Sequence, residues 1–236
     1  MSPSRLRSGF TLIEILTVIA IIAVLMGLLF PVLGKAKVIA QKADAKNDLH
    51  QLVTAVNAFD TDYGVYPIDP TVAGNPGHDA EYGDPGGSRP LADVVNVLRA
   101  DPSNTPLSSG TTPLGINTRQ QIYLDVPFAK DQTHPKRGLY VGPGGTTTPN
   151  GNPLHVGDWC DPWGDTYIIC IDADYNGYTQ VGTLNYKDLT YVPNAPGTTG
   201  NSLQTGYIGA SFGPDGQIGT AGNALYNNSD DVITWQ

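Results

Sequence analysis

Cysteine and histidine are scarce in this 236-residue chain, and their scarcity argues against several classes of protein. The two cysteines, Cys160 and Cys170, are too few for a scaffold held together by disulfides. The four histidines are scattered and show neither the spacing of a zinc site nor that of a base beside a nucleophile. The HExxH, P-loop and dinucleotide-binding motifs are also missing. The sequence therefore argues against a zinc enzyme and against a nucleotide-binding protein.

Basic residues are scarce as well: 13 Lys and Arg stand against 22 Asp and Glu, which gives a formal net charge of −9. A surface of this sign is repelled by nucleic acid and by anionic lipid headgroups. We therefore expect no nucleic-acid partner. The same surface is well suited to divalent cations.

One long apolar run stands out near the start of the chain. Residues 10–30, FTLIEILTVIAIIAVLMGLLF, contain a single charged side chain, that of Glu14. A helix of this length rises ~1.5 Å per residue and would be ~30 Å long, which matches the hydrocarbon core of a bilayer. A secretory signal peptide would have a shorter apolar core, no acid within it and a small-x-small cleavage site after it. The sequence predicts a transmembrane helix over residues 10–30.

The residues that open this run, SGFTLIE, resemble the processing site of type IV prepilins. That site has a short basic leader ending in glycine, then phenylalanine, with a glutamate four residues further on. The resemblance to type IV pilin-like proteins implies that residues 1–9 form a leader peptide. It also implies that a prepilin peptidase cleaves between Gly9 and Phe10 and methylates the new amine of Phe10.

Glu14 would lie inside the hydrocarbon, where a carboxylate costs roughly 2.5 kcal/mol or more. The resemblance implies that its partner is the ammonium group of Phe10 in a neighbouring subunit, so that the chain forms a homopolymer through its N-terminal helix. Such a pair would bring two buried charges together and set the axial register of the filament. The alternative is a protonated Glu14 that only marks the membrane boundary.

An amphipathic pattern extends this helix over residues 31–63. Apolar residues recur at steps of three and four and form one stripe: Ile39, Ala43, Leu49, Leu52, Val53, Val56, Phe59 and Tyr63. The charged residues between them are assigned to the solvent side: Lys42, Asp44, Lys46, Asp48 and Asp60. Pro31 is expected to kink or locally melt the helix, and Gly64 is expected to end it.

Residues 64–236 are rich in glycine and proline and are expected to form a globular head. The patterns predict a loop over 68–88, a short helix over 91–100, a strand over 121–126 and an irregular segment over 127–157. The sequence DPWG at 161–164 predicts a tight turn before a buried strand at 167–171, and Trp163 is interpreted as a packing residue. This turn resembles the one that precedes the β-sheet of major pseudopilins. The pilin resemblance implies an α+β fold, with the long helix packed on a small antiparallel β-sheet that carries loop insertions.

The two cysteines, Cys160 and Cys170, flank this turn, and two states remain open for them. If the strand folds back they reach disulfide distance, which an oxidising compartment would permit. Two free buried thiols would give the same sequence.

The carboxyl end carries a second resemblance, over residues 211–235. The segment SFGPDG, the glycines Gly219 and Gly222, and the ending DDVITW resemble the calcium loop of major pseudopilins. The resemblance implies a structural calcium ion held by three carboxylates, those of Asp215, Asp230 and Asp231. Calcium takes six to eight oxygen ligands, and without the ion three such carboxylates would repel one another. The alternative is a solvated acidic tail.

Two further motifs are weaker. DADYNG at 172–177 matches the first half of an EF-hand loop, but its twelfth position is Thr183 instead of a bidentate glutamate, and we interpret it as a β-turn. GASFG at 209–213 fits the GxSxG pattern of hydrolases, yet a turn follows it instead of a helix and no histidine lies beyond His155. We therefore do not expect an enzyme.

The resemblance to major pseudopilins implies a structural subunit of a type II secretion pseudopilus. The implied partners are the prepilin peptidase, the minor pseudopilins and the inner-membrane assembly platform. The basic residues on the two sides of the span do not decide the orientation. The resemblance implies a single pass of the inner membrane with the head in the periplasm. Two other functions remain open. One is a pilin or minor subunit of a type IV pilus, acting in adhesion, motility or DNA uptake. The other is a membrane-anchored calcium-binding or ligand-binding module that never polymerises.

Overall fold

The structure is a computed structural model, and it describes residues 10–73, 79–85, 89–103, 105–219, 223–227 and 229–235. The predicted leader, with Gly9 of the cleavage site, lies outside the described residues. The chain divides into two units, residues 1–41 and 42–236.

The N-terminal helix, α1, runs from Leu12 to Tyr63. Its end confirms the sequence prediction: Gly64 has a φ of +69°, and its N–H donates to the carbonyl oxygen of Asp60 at 2.7 Å. Glycine adopts this left-handed conformation without strain, which makes it the usual residue after a helix. The local melting expected at Pro31 does not occur, because α1 is continuous through that position. A proline removes one main-chain donor, and the neighbouring turns of this helix remain in place.

The part of α1 in the first unit exposes its apolar side chains. Leu12 is 84% exposed, Leu28 is 69% exposed, and the 18-residue window that is apolar enough to cross a membrane has none of its residues buried. Among the described residues, α1 is the one helix with the length and composition of a membrane span. An uncovered apolar surface of this size needs lipid or other protein around it.

The part of α1 in the second unit forms one wall of the main core. Four side chains of the predicted stripe are fully buried, those of Leu49, Leu52, Val56 and Phe59, and this part of the stripe is confirmed. Ala43, which the sequence placed on the same stripe, is exposed.

Asp48 was predicted on the solvent side of α1, and this prediction is wrong because only 5% of the residue is exposed. The hydroxyl of Tyr167 donates to Asp48 Oδ2 at 3.0 Å, and Arg137 Nε lies 3.8 Å from the same oxygen. Arg137 also donates from NH1 to Asp44 Oδ2 at 2.8 Å. Burial raises the pKa of the Asp48 carboxyl, while the bond from Tyr167 opposes that rise. The partners on other elements make a buried carboxylate tolerable here, and helical periodicity cannot reveal them.

Replacing Tyr167 by Phe is expected to destabilise the protein by about 1–3 kcal/mol, because the buried Asp48 carboxylate loses its hydroxyl donor. Chemical denaturation of the wild type and the variant measures this difference. Tyr178→Phe is the matched control, since the Tyr178 hydroxyl makes no hydrogen bond to another described residue. Equal losses in the two variants would contradict the prediction.

The main sheet of the second unit is antiparallel and has four strands. They are β1 (Ala80–Tyr82), β4 (Ile168–Ile171), β8 (Tyr207–Ser211) and β9 (Val232–Ile233). Their order in the sheet is β1-β4-β8-β9. The register places Ala80 opposite Ile171, and Ala210 opposite both Ile168 and Ile233. The buried strand predicted at 167–171 is confirmed as β4, whereas β1 lies in a segment that was predicted to be all loop.

Both faces of this sheet are covered. Alternate residues of a strand point to opposite faces. Ile169 and Ile171 accordingly join the core that includes α1, while Ile168 and Cys170 join a second cluster on the other face. The second cluster takes in residues from the segment 181–191. Residues 179–203 also form a separate three-stranded sheet. Its strands are β5 (Thr179–Gln180), β6 (Val192–Pro193) and β7 (Asn201–Leu203), in the order β5-β7-β6.

The remaining elements are short. The predicted helix at 91–100 is confirmed as α2 (Ala92–Leu98), and α3 covers Pro113–Ile116. Strands β2 (Gly138–Leu139) and β3 (Trp159–Cys160) pair with each other, and Gly164 N–H donates to the Asp161 carbonyl at 3.2 Å, which confirms the tight turn that follows. Trp163 packs against the main core, as predicted.

The strand predicted at 121–126 is wrong. The N–H groups of Tyr123 and Leu124 both donate to the carbonyl of Leu98 at the end of α2, so the segment is anchored to a helix terminus instead of a strand. Ile122, the residue before them, is 65% exposed. The alternation of apolar and polar residues in 121–126 therefore does not indicate a strand, because the segment bonds to a helix end and not to a neighbouring strand.

Cys160 and Cys170 are both free and buried, so the structure has the second of the two states that the sequence left open. The two side chains lie in different clusters. Cys160 packs with Tyr140 and Leu154, whereas Cys170 packs in the cluster on the outer face of the main sheet. Burial raises the pKa of both thiols, which keeps them protonated and unreactive. The fold class is α+β, as predicted: a long N-terminal apolar helix precedes a domain built on a small antiparallel sheet.

Candidate functional site

The pairing of β8 with β9 brings the two ends of the C-terminal acidic segment together. Ser211, the last residue of β8, lies opposite Val232, the first residue of β9. Asp215 therefore follows one strand by four residues, and Asp231 directly precedes the other. Antiparallel pairing places such flanking residues at the same edge of the sheet.

The three carboxylates predicted to bind a cation meet at this edge. Asp215, Asp230 and Asp231 each present one carboxylate oxygen within 4.8 Å of the other two. Two ligands of one calcium ion, each ~2.3–2.6 Å from it, lie at most about 5 Å apart. The three oxygens are therefore close enough to contact a single ion. Gly222, part of the predicted loop, lies outside the described residues.

Asp231 is the most buried member of this carboxylate cluster, with 6% of the residue exposed. Its Oδ2 accepts the N–H of Gly219 at 2.6 Å. Its Oδ1 is buried and makes no hydrogen bond of normal geometry to another described residue, although the neighbouring Tyr186 hydroxyl lowers the pKa of this carboxyl. Asp230 is less buried, and its Oδ2 accepts the N–H of Asp215 at 3.2 Å. A buried carboxylate with incomplete hydrogen bonding is costly, and its oxygens are suitable ligand atoms for a hard cation.

The electrostatic interactions within the cluster also favour a bound cation. Burial and the neighbouring carboxylates of Asp230 and Asp215 raise the pKa of Asp231 to about 7. Burial and the charge of Asp215 also raise the pKa of Asp230, although nearby Lys42 opposes this. Groups with such shifts are destabilised in their charged form, and a bound cation reverses the effect. The donor set, oxygen atoms only, fits calcium.

The turn between β8 and Asp215 requires glycine at position 213. Gly213 has a φ of +68°, and a Cβ atom placed on it would lie 2.5 Å from the carbonyl oxygen of Asp230. A side chain at this position would therefore push apart the two sides of the site. The carbonyl of the neighbouring Ser229 accepts a hydrogen bond from Lys42 Nζ at 3.3 Å, which ties this segment to α1 within the second unit.

A buried carboxylate beneath the site, that of Asp161, holds the start of this turn. Its Oδ1 accepts the N–H groups of Trp163, Gly164 and Asp165, and its Oδ2 accepts the hydroxyl of Ser211 at 2.7 Å. Ser211 is the serine of the GASFG motif, and it is fully buried. Its oxygen also accepts the N–H of Gly213 at 3.2 Å. Ser211 therefore connects two turns and is not placed at the mouth of a cleft.

A second group of carboxylates lies at the DADYNG segment. Asp172 and Asp174 approach Asp79, with one oxygen of each within 4.8 Å of the others. Asp172 accepts the N–H groups of Asn176 and Gly177, at 3.1 and 2.8 Å, and this turn agrees with the interpretation of the segment. Thr183, at the twelfth position of the EF-hand pattern, donates instead to the carboxylate of Glu81.

Glu14 closes the first turn of α1. The N–H and the hydroxyl of Thr11 donate to Glu14 Oε2 at 2.7 and 2.8 Å, and the N–H of Glu14 donates to Thr11 Oγ1 at 3.3 Å. This reciprocal pair is a capping box, which satisfies main-chain donors at the start of a helix. Phe10, the predicted first residue after cleavage, lies next to this cap and is 84% exposed.

Sequence reasoning missed three of these features. The capping box was detectable, because Thr-x-x-Glu before an apolar run is its signature. The role of Asp161 and the approach of Asp79 to Asp172 were not detectable, since each depends on residues 50 or more positions apart in the sequence.

A comparison with protein families supports the prediction made for the N-terminal segment. The family model described as the prokaryotic N-terminal methylation motif matches residues 4–30, which cover the predicted processing site and the apolar start of α1. Neither the curated proteins nor the solved structures contain a match to this chain. The motif at its N terminus therefore supports a type IV pilin-like protein, a class of structural subunits.

Proposed function

We propose that this protein is a structural subunit of a type II secretion pseudopilus, which polymerises through its N-terminal helix and helps to export proteins across the outer membrane. The observation that carries the proposal is a methylation motif at the start of an exposed apolar helix. A helix of this kind first serves as a membrane anchor, before assembly, and then forms the core of the filament. Both surroundings would cover the apolar side chains that the first unit leaves exposed.

Assembly proceeds by pairing Glu14 with the Phe10 amine of a neighbouring subunit. The prepilin peptidase creates that amine by cleaving after Gly9, and methylation keeps it cationic. In the structure the Glu14 carboxylate accepts two bonds from Thr11 through one oxygen, Oε2. The second oxygen is then the acceptor for the ammonium group. A charge pair of this kind in an apolar environment fixes one register, because any axial slip leaves two charges unpaired.

Calcium is the proposed ligand of the head, held by Asp215, Asp230 and Asp231, with main-chain carbonyls and water completing the shell. The bound ion supplies charge neutralisation and closes the C-terminal segment against β8. The clustering of three carboxylates supports this assignment, because one oxygen of each lies within 4.8 Å of the others and Asp231 is nearly buried there. The carboxylate cluster is also what favours a pseudopilus, since the sequence around it resembles the calcium loop of major pseudopilins.

The remaining partners follow from the same proposal. The subunit is held in the inner membrane by a single span with its head in the periplasm. It meets the minor pseudopilins and the inner-membrane assembly platform there, and the energy for polymerisation comes from other machinery. A pilin or minor subunit of a type IV pilus is the second candidate, since the methylation motif is compatible with either filament. Loss of secretion without loss of surface filaments on deletion of the gene favours the pseudopilus.

Glu14→Gln is the sharpest test of the assembly step, because Gln also serves as the third helical residue of a capping box. We expect helix formation and membrane insertion to be unchanged, while filament yield in the native host falls by about tenfold or more, since the buried charge pair is lost. Thr11→Ala is the matched variant: it removes the cap of the helix and keeps the Glu14 charge. Filament yield, measured by shearing and electron microscopy, should therefore survive in Thr11→Ala.

The opposite pattern would contradict the proposal. If Glu14→Gln polymerises normally and Thr11→Ala does not, Glu14 serves the local helix and makes no contact with a neighbouring subunit. Mass spectrometry of the mature N terminus is the accompanying check, since both variants should still be cleaved after Gly9 and methylated on Phe10.

A further inference from the structure

Two lysines of α1 lie beside the C-terminal carboxylate cluster. A cavity of about 350 Å³ in the second unit is lined by Asp231 and Ser229 and also by Lys42 and Lys46 of α1. The two lysines are four positions apart and therefore lie on the same face of the helix. Positive charge that belongs to the protein itself is thus placed next to the proposed calcium ligands.

Lys42 is the lysine that is fixed at the cluster. Its side chain is partly buried, and its Nζ donates to the carbonyl oxygen of Ser229 at 3.3 Å. Ser229 directly precedes Asp230 and Asp231 in the chain. The hydrogen bond therefore holds the ammonium group of Lys42 at the stretch of main chain that carries two of the three proposed ligands. Lys46, one turn further along α1, is exposed.

The charge of Lys42 also acts on the carboxylates. Burial and the charge of Asp215 raise the pKa of Asp230, and the charge of Lys42 opposes this rise. A neighbouring cation has this effect because it stabilises the ionised form of a carboxyl group. Lys42 therefore supplies stabilisation of the kind that a bound metal ion would supply, with one positive charge instead of two.

A fixed ammonium group affects the metal-free cluster and an incoming calcium ion in opposite ways. One oxygen of each of the three carboxylates lies within 4.8 Å of the others, so their charges repel one another. Lys42 offsets part of this repulsion when no metal is bound. The same charge repels a divalent cation, and it reduces the net negative charge of the site, which is one of the quantities that set calcium affinity.

We infer that Lys42 is the resident counter-ion of the carboxylate cluster: it holds the C-terminal segment against α1 when no metal is bound, and it weakens calcium binding. The inference rests on the proposed function, in which Asp215, Asp230 and Asp231 bind calcium, and it adds a residue of α1 that regulates this site. A head with Lys42 folds before it meets the ion. It then requires a higher calcium concentration to fill the site than a head without this charge.

Calcium titration of the full-length protein in detergent tests the inference. Lys42→Met keeps most of the apolar stem of the lysine and removes its charge. The proteins are stripped of metal with a chelator, the chelator is removed, and calcium chloride is added in a calorimeter. We expect the dissociation constant of Lys42→Met to be about fivefold lower than that of the wild type, because a charge that repels the ion is gone. Lys42→Gln keeps a donor for the Ser229 carbonyl and should show the same change.

Thermal unfolding in chelator provides the second measurement. Lys42→Met should unfold at a lower temperature than the wild type, because the carboxylates lose their counter-ion, and saturating calcium should reduce the difference. Lys42→Arg keeps the charge and should match the wild type in both measurements. Lys130→Gln also removes one positive charge, but Lys130 is exposed and does not line the cavity. This control should leave the calcium affinity and the unfolding temperature unchanged.

The outcomes separate the role of Lys42 from the proposed function. Equal calcium affinity in the wild type and both neutral variants would overturn the inference and leave the calcium site intact. Weaker binding by Lys42→Met and Lys42→Gln would overturn it as well, because Lys42 would then support the bound ion. Equal unfolding temperatures of the wild type and Lys42→Met in chelator would contradict the counter-ion role. If the wild type takes up no calcium, the calcium site of the proposed function fails and the inference fails with it.

Discussion

We expect calcium added to the full-length protein in detergent to raise the midpoint of thermal unfolding of the head, and a chelator to remove the increase. A ligand that binds only the folded state contributes about 2.7 kcal/mol when its concentration is 100 times the dissociation constant. For a domain of this size that corresponds to roughly 5–10 °C. The increase would arise because the ion neutralises three clustered carboxylates, of which Asp231 is nearly buried.

Asp231→Asn gives a sharper test, because its melting temperature relative to the wild type should shift in opposite directions in chelator and in calcium. In chelator the variant should unfold at a higher temperature than the wild type, since it removes a buried charge that Asp230 and Asp215 repel. In calcium it should unfold at a lower temperature, because a ligand is missing. The amide oxygen of Asn still accepts the N–H of Gly219, so the local bond is retained.

Asp125→Ala is the control for the calcium experiment. Asp125 is exposed and lies outside the C-terminal cluster, so this variant should keep the full calcium-dependent increase. Equal melting temperatures of the wild type in calcium and in chelator would remove the ion from the proposal. A loss of stability of the same size in both conditions for Asp231→Asn would assign that carboxylate a purely structural role.

Replacing Asp161 by Ala is expected to lower the free energy of unfolding by about 3–5 kcal/mol, because several buried donors lose their common acceptor. Three of them are main-chain N–H groups of the turn after β3, and the fourth is the hydroxyl of Ser211. Burial raises the pKa of Asp161 to about 7, and the bonds from Ser211, Gly164 and Trp163 oppose the rise. Denaturant unfolding in chelator isolates this effect from that of the ion.

Asp161→Asn is the matched variant for this second prediction. Its side-chain oxygen can accept the same three N–H groups, and its amide can donate to the Ser211 oxygen, so we expect a loss of only about 1–2 kcal/mol. A loss below about 1 kcal/mol for the Ala variant would mean that water replaces the carboxylate, and it would contradict the role assigned to Asp161.

The features that the sequence predicted correctly are those with a local physical signal. The apolar run and the stripe at Leu49 and Leu52 follow from helical periodicity, and the end of α1 follows from Gly64. The strand β4 was predictable because Ile168, Ile169 and Ile171 form a short apolar run after a turn signal.

The errors concern residues whose environment comes from distant parts of the chain. Asp48 was placed in solvent, because its two partners, Tyr167 and Arg137, lie about 90 or more positions away. The segment 121–126 alternates like a strand, but its N–H groups bond to the end of α2. Of the candidate metal site, the three carboxylates were named from a resemblance, and the structure brings them together, while calcium binding stays a prediction. The carboxylate of Asp161 that supports the turn beneath them was not predicted.

The capping box at the start of α1 has a consequence for storage. Under the proposed function, a subunit in the bilayer would carry its own donors for the Glu14 carboxylate, so it would not depend on a partner to make the acid tolerable there. Joining a filament would then exchange one partly satisfied state for another, and the net gain per subunit from this contact would be modest. We therefore expect reversible assembly, in which subunits return from the filament to the membrane without being synthesised again.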